Sequence, residues 1–194
     1  MKLQNVKDSN DPFNYYTFDN FFDSYELNEL QKLELNDNSS ILKGKRVSNT
    51  NRFYLTTENI KNNIILKRII DYFLDEDVIN FFENKHKISL KDLYLRVELV
   101  RDKKGSFLEP HTDIKEKKIS LLIYLNDTNE DKAIGTSLYD NNHNHIKTVP
   151  YIDNTGFYFL PGEDTWHGLE HANVKEMRKV IMVNYCSFKT DFKV

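Results

Sequence analysis

A single cysteine, Cys186, excludes an internal disulfide. It reads as a small buried apolar side chain in a reducing compartment. No stretch approaches the roughly 18 consecutive apolar residues of a membrane span. The opening "MKLQNVKDSNDPF" lacks the apolar segment of a secretory leader, so the expected location is cytoplasmic. Neither charge sign dominates: 27 Lys and Arg face 30 Asp and Glu, for a net charge of -3. That balance predicts no nucleic-acid partner and no membrane surface. Internal repeats and low-complexity linkers are absent, as is any Ser-His-Asp or Cys-His arrangement for nucleophilic catalysis. Apolar residues are also scarce at 39%, the shortfall being filled by Asn, Lys and Asp.

What is present compensates. Eleven Tyr and 13 Phe supply large side chains to bury, so the chain is expected to fold. A length of 194 residues suits one domain with a real core. Residues 1–92 read mainly as helix. "DSYELNELQKLEL" begins at a cap near Asp23 and Ser24 and repeats Leu27, Leu30 and Leu33. "TTENIKNNIILKRIIDYFLDEDVINFFENKH" carries an apolar face through Ile65, Ile69 and Phe73, and its "DED" at 75–77 separates two helices. The segment "RVSNTNRFYLT" between them reads as extended. From residue 93 onward the pattern becomes short β-branched and aromatic runs between polar and Gly-containing breaks. Helices followed by about seven or eight strands argue for α+β, with a closed or two-sheet β architecture such as a jelly roll.

The chemistry centres on "FLEPHTDIKEKKISLLIYLND". On an extended chain, residues i and i+2 share a face, so His111 and Asp113 project together, about two rises of roughly 3.3 Å apart. By itself a His-x-Asp pair in an Asp-rich chain reads as a solvated loop. His167, in a turn after the apolar "GFYFL", offers a further ligand. Two His and one carboxylate suit Fe(II) with open positions, and zinc can use the same set. His171 is a rival third ligand in a more polar stretch. Arg178 opens the final strand on the face of Val180 and Met182, where a charge is costly unless paired, and Arg is the natural fork for a carboxylate. Tyr124 shares a face with Leu122 and Ser120, which sends its hydroxyl into the same interior.

Taken in order, "GSFLEPHTD", "LLIYLND", "GTSLYD", "GFYFLPGEDTWHGL" and Arg178 resemble the Fe(II)- and 2-oxoglutarate-dependent oxygenases, in particular the prolyl-4-hydroxylase-like branch. The resemblance spans about residues 94–188. It implies a double-stranded β-helix (jelly roll) in residues 93–194, with the N-terminal helices as buttress within one domain of residues 1–194. It implies iron on His111, Asp113 and His167, and 2-oxoglutarate held by Arg178 with help from the Tyr124 hydroxyl. It also implies O2 as co-reactant, succinate and CO2 as products, and ascorbate as a stimulant. Two departures stand out. The Tyr that often precedes the first ligand is replaced by Val100 or Arg101, and "GTSLYD" lacks the usual double Gly.

The substrate is expected to be a peptidyl proline, an amino acid or a small molecule, with its C–H bond hydroxylated. Arg52, Arg96, Arg101, Lys103 and Lys104 bring positive charge towards the entrance. Arg96 is the first choice for an anionic substrate group. Trp166, Phe107 and Phe159 are expected as walls, with plain core packing as the alternative for each. His143 and His145 read as an exposed turn, and His86 as a helix C-terminal cation. A cupin-like metal enzyme without 2-oxoglutarate and a metal-stabilised jelly-roll binding module are the alternatives. Neither needs both Arg178 and Tyr124.

Overall fold

The computed structural model describes residues 1–33, 50–127, 129–170 and 174–194. Two antiparallel sheets face one another, and a helical layer covers the outer side of the larger one. The larger sheet contains β1 (Lys7–Ser9), β2 (Tyr15–Asp19), β3 (Thr50–Tyr54), β4 (Tyr94–Asp102), β6 (Lys117–Leu125), β9 (Thr155–Phe159), β11 (Arg178–Cys186) and β12 (Phe192–Lys193). Its order is β1-β2-β9-β6-β11-β4-β12, with β3 also paired to β4. The smaller sheet runs β5 (Leu108–His111), β10 (His167–Leu169), β7 (Thr136–Tyr139) and β8 (His145–Val149).

Alternation along the long strands divides the interior in two. On β6, Ile119, Leu121, Ile123 and Leu125 join the helical side, whereas Leu122 and Tyr124 enter the space between the sheets. On β11, Ile181, Val183 and Tyr185 face the helices, and Val180 faces inward. The helices are α1 (Ser24–Gln31), α2 (Thr57–Ile60), α3 (Ile64–Leu74) and α4 (Glu76–His86). Ile65, Leu66, Ile69, Ile70 and Phe73 of α3 and Phe82 of α4 pack in the outer core. Asp23 caps α1 in a capping box with Glu26. Asp75 ends α3 and accepts from the Asp77 amide to start α4, so the acidic break separates two helices as read.

The first half departs from its mainly helical expectation. β1, β2 and β3 all come from it and pair into the larger sheet, β2 on β9 and β3 on β4. Their alternation is blurred because they are short or flank the sheet, where both faces are only partly covered. Of "RVSNTNRFYLT", residues 46–49 lie outside the described residues. "HGL" forms a strand, β10, where a turn was expected. Three residues carry too little periodicity to be read.

Candidate active site

Strand pairing brings the candidate metal ligands together. β10 runs antiparallel to β5 and places His167 opposite His111. Gly168 makes that approach possible, because a Cβ there would stand 2.5 Å from the Leu108 carbonyl oxygen. Asp113 lies just past the end of β5, so the expected same-face projection is made by extended chain beyond the strand. Ligand atoms of His111, Asp113 and His167 all fall within 4.8 Å of one another.

The backbone orients both imidazoles. His111 Nδ1 is 2.9 Å from the Glu109 carbonyl, and His167 Nδ1 is 2.9 Å from the Thr165 carbonyl. A carbonyl only accepts, so Nδ1 carries the proton in each ring and Nε2 keeps its lone pair for a metal. Burial pushes the His111 imidazole down to about 4, and neighbouring His167 adds to the effect. Burial also lowers His167. Burial alone would raise Asp113, but the Lys117 ammonium and His167 outweigh it and hold the carboxyl at about 2. Lys117 Nζ is 2.5 Å from Asp113 Oδ1, and the Ser120 hydroxyl donates to Oδ2 at 2.5 Å. Both rings are thus neutral and the carboxylate ionised at neutral pH, the protonation state that ligation needs. The donor set fits a divalent metal with open positions.

These ligands line a cavity of about 250 Å³. Phe107, Leu122, Val180 and Met182 contribute apolar wall, and Lys117, Thr136, Arg52, Asp102 and Arg178 contribute polar groups. Arg178 enters this interior beside Val180, as its strand position predicted. Its guanidinium donates through Nε to the Ile134 carbonyl at 2.7 Å, through Nη1 to Asp102 Oδ2 at 2.6 Å, and through Nη2 to Thr136 Oγ1 at 3.4 Å. Tyr124 is fully buried behind that group. Its hydroxyl donates to Thr136 Oγ1 at 2.8 Å, and its ring centroid lies 5.6 Å from the guanidinium carbon. Burial pushes its phenol up, so it is neutral.

Other expected residues fall elsewhere. Trp166, one residue before β10, does not line the cavity; its ring centroid lies 4.0 Å from that of His143. Phe159 packs edge-on to His167 at 4.8 Å. Arg96 reaches Glu98, which it shares with Arg52. Lys103 and Lys104 are exposed. His143 and His145 lie at an exposed turn and strand start, and His171 lies outside the described residues. At the place expected of Val100 or Arg101, Val100 lines the cavity. Arg101 turns outward to the Leu33 carbonyl, and the next inward residue is Asp102. Asp102, Lys117 and Thr136 carry no assignment in the sequence reading, which placed Ser120 on the inward face of Tyr124 without giving it a role. Inward alternation from Val100 to Asp102 was the one available signal.

The same architecture occurs in solved structures. A prolyl-4-hydroxylase from Pseudomonas putida superposes with a TM-score of 0.64 at 10% identity, covering 90% of this chain and 93% of that one. The fold is that of the prolyl-4-hydroxylase-like 2-oxoglutarate- and Fe(II)-dependent oxygenases. A prolyl hydroxylase from Trichoplax adhaerens, in complex with a hypoxia inducible factor peptide fragment, gives 0.64 at 12% identity, with 89% and 83% covered. HygX from Streptomyces hygroscopicus, with nickel, 2-oxoglutarate and hygromycin B bound, gives 0.58 at 16% identity, with 91% and 84% covered. No family model and no curated protein matches the sequence. At these identities the likeness is one of fold. No helix among the described residues is long and apolar enough to cross a membrane.

Proposed function

We propose that this protein is an Fe(II)- and 2-oxoglutarate-dependent dioxygenase that hydroxylates a C–H bond of a peptide or small molecule. The observation that carries the reading is the convergence of His111, Asp113 and His167, Nε2 lone pairs free, on a cavity that also receives a buried Arg178. His111, Asp113 and His167 would hold the iron, which supplies oxygen activation when bound. Arg178 would take the distal carboxylate of 2-oxoglutarate. Tyr124 acts one step back, fixing Thr136 and flanking the guanidinium. Spacing supports the pairing of the two ends. His167 stands opposite Leu138 on β7, and Thr136, which touches Arg178, is two residues along that strand, or about 6–7 Å.

The chain's own residues do the positioning. The Glu109 and Thr165 carbonyls fix the imidazoles. Lys117 and Ser120 hold the Asp113 carboxylate, and Phe107, Leu122 and Met182 keep water from the reacting centre. Nothing in this set acts as acid or base on the substrate.

Arg52, which lines the cavity, supports an anionic group on the substrate. Its guanidinium and that of Arg96 both pair with the one carboxylate of Glu98, at 2.9 and 2.6 Å, leaving one positive charge in excess. The test is succinate formation from labelled 2-oxoglutarate with Fe(II), O2 and ascorbate. Turnover lost in His111→Ala and Asp113→Ala supports the reading. No turnover and no 2-oxoglutarate binding by the metal-loaded protein overturns it, and would leave a cupin-like enzyme or a binding module.

A further inference from the structure

Arg178 is not free. Its guanidinium is buried against the rings of Tyr124 and Tyr151, each with its centroid 5.6 Å away, and is already paired with Asp102 at 2.6 Å. Asp102 is equally buried, with 5% of its surface exposed, and accepts a 2.7 Å hydrogen bond from the Thr50 hydroxyl through its other oxygen. The pair is set by the backbone, since Arg178 and Asp102 face each other in the β11–β4 ladder and Thr50 faces Asp102 from β3. Both charged groups line the cavity. We propose that Asp102 is a specificity-determining residue: it competes with the cosubstrate for Arg178, and so weakens selection for a 2-oxo acid with a second carboxylate. The inference rests on the dioxygenase reading above.

The physical argument is one of charge. The guanidinium has five N–H donors. Three are committed, to Ile134, Asp102 and Thr136, and the Tyr124 hydroxyl also interacts with the guanidinium, which still leaves an Nη hydrogen to donate. A carboxylate can therefore still dock, so the site is tuned and not blocked. It docks on a pair whose net charge is zero, beside a second carboxylate, in a poorly hydrated place. Like charges disfavour one another strongly there. A 2-oxo acid of the same length with an apolar tail meets no such repulsion. Asparagine at 102 would keep the frame, with its carbonyl oxygen accepting from Arg178 and its amide donating to Thr50, while removing only the charge.

A purely structural Asp102, there to aim the guanidinium, makes the opposite prediction, since its loss would weaken 2-oxoglutarate binding. The experiment is therefore decided by sign. 2-Oxoglutarate and 2-oxopentanoate are titrated calorimetrically into the Mn(II)-loaded protein and its Asp102→Asn variant, with metal stoichiometry measured separately. The expected result is 2-oxoglutarate binding tightened at least about tenfold in the variant, and 2-oxopentanoate binding changed less than about twofold, because its tail carries no charge. Asp102→Ser makes the same comparison if Asp102→Asn does not fold. Weaker or unchanged 2-oxoglutarate binding in the variant overturns the inference and leaves the dioxygenase reading standing. No 2-oxo acid binding to either metal-loaded protein overturns both.

Discussion

His167 stands directly across from His111 in the β5–β10 ladder, their ring centroids 4.4 Å apart. Two residues 56 positions apart in sequence are thereby locked by backbone hydrogen bonds, and Asp113 needs only two further residues of chain to join them. Replacing either histidine by Ala removes one of the three proposed ligands. Mn(II) or Fe(II) affinity should fall by at least about 10–100-fold, a scale seen even for partners one shell removed from a metal. Equilibrium dialysis with metal analysis measures it. Full retention of metal in both variants would show that these residues do not form the site.

Gly168 tests how the ladder makes the site. An added Cβ would meet the Leu108 oxygen at 2.5 Å, a backbone atom that cannot rotate away. Gly168→Ala should force β10 from β5, costing roughly 1–3 kcal/mol as an overpacked core position does. It should also lower metal affinity, since His167 moves with its strand. Urea unfolding and metal titration on one preparation check both. Wild-type values for both would mean the strands have room that the geometry denies.

The acid stability of the metal-free protein follows from the same cluster. His111 is lowered to about 4 by burial and by His167, so the unfolded chain takes up its proton first as pH falls below the ordinary value near 6.5. Stability is therefore complete above about pH 6.5 and is lost between there and about 4, by roughly 2–4 kcal/mol from this residue. Asp113, held at about 2, adds a second loss between its ordinary value and pH 2. His111→Gln should shrink the first limb, leaving the share of His167, which burial also lowers, and should leave the second. Denaturant midpoints measured across pH in the presence of a chelator read this directly.

Arg178 and Asp102 form a buried pair, and such pairs are costly to halve. Arg178→Ala leaves Asp102 uncompensated and should destabilise the fold by about 3–5 kcal/mol. Arg178→Met with Asp102→Asn should recover much of that, because no lone charge remains. If Arg178 holds the cosubstrate as proposed, Arg178→Ala also weakens 2-oxoglutarate binding by about 2–5 kcal/mol. Chemical denaturation and calorimetry separate the two effects. A loss below 0.5 kcal/mol on both axes would place the guanidinium in solvent instead.

How far the site is legible in the sequence depends on range. His111 and Asp113 are two residues apart, and extended geometry alone aims them together. Arg178 and Tyr124 sit on nine-residue strands whose alternation is clean, so their inward direction follows from Val180 and Leu122. Asp102 lies at the end of an equally clear strand, but its partner is 76 positions away and only the β4–β11 register reveals it. Lys117 and Ser120 begin β6, and only the turn that brings Asp113 back over that strand reveals their contact with its carboxylate. Trp166 sits one residue before β10 and outside the cavity lining, packed against His143, a contact between residues 23 positions apart that no local pattern announces. The helices were legible because Ile65, Ile69 and Phe73 repeat on one face, whereas β2 and β3 pair with strands far along the chain and β1 is a three-residue edge strand on β2.

Glu98 offers a last and independent test. It is fully buried and holds Arg52 at 2.9 Å and Arg96 at 2.6 Å, the latter also flanked by Tyr54 and Phe188. Among the described residues the Nε atoms of both arginines are buried without a hydrogen-bond acceptor. The three groups are therefore unequal. Removing Arg52 leaves Glu98 paired with Arg96, and removing Arg96 leaves it paired with Arg52, so each single Arg→Ala change should cost only about 1–2 kcal/mol of stability. Glu98→Gln leaves two neighbouring guanidiniums with no counter-ion and should cost about 3–5 kcal/mol. Urea midpoints for the three variants establish the order. Glu98→Gln proving milder than either Arg→Ala would mean the arginines are neutralised from elsewhere, and the excess positive charge invoked for an anionic substrate would disappear with it.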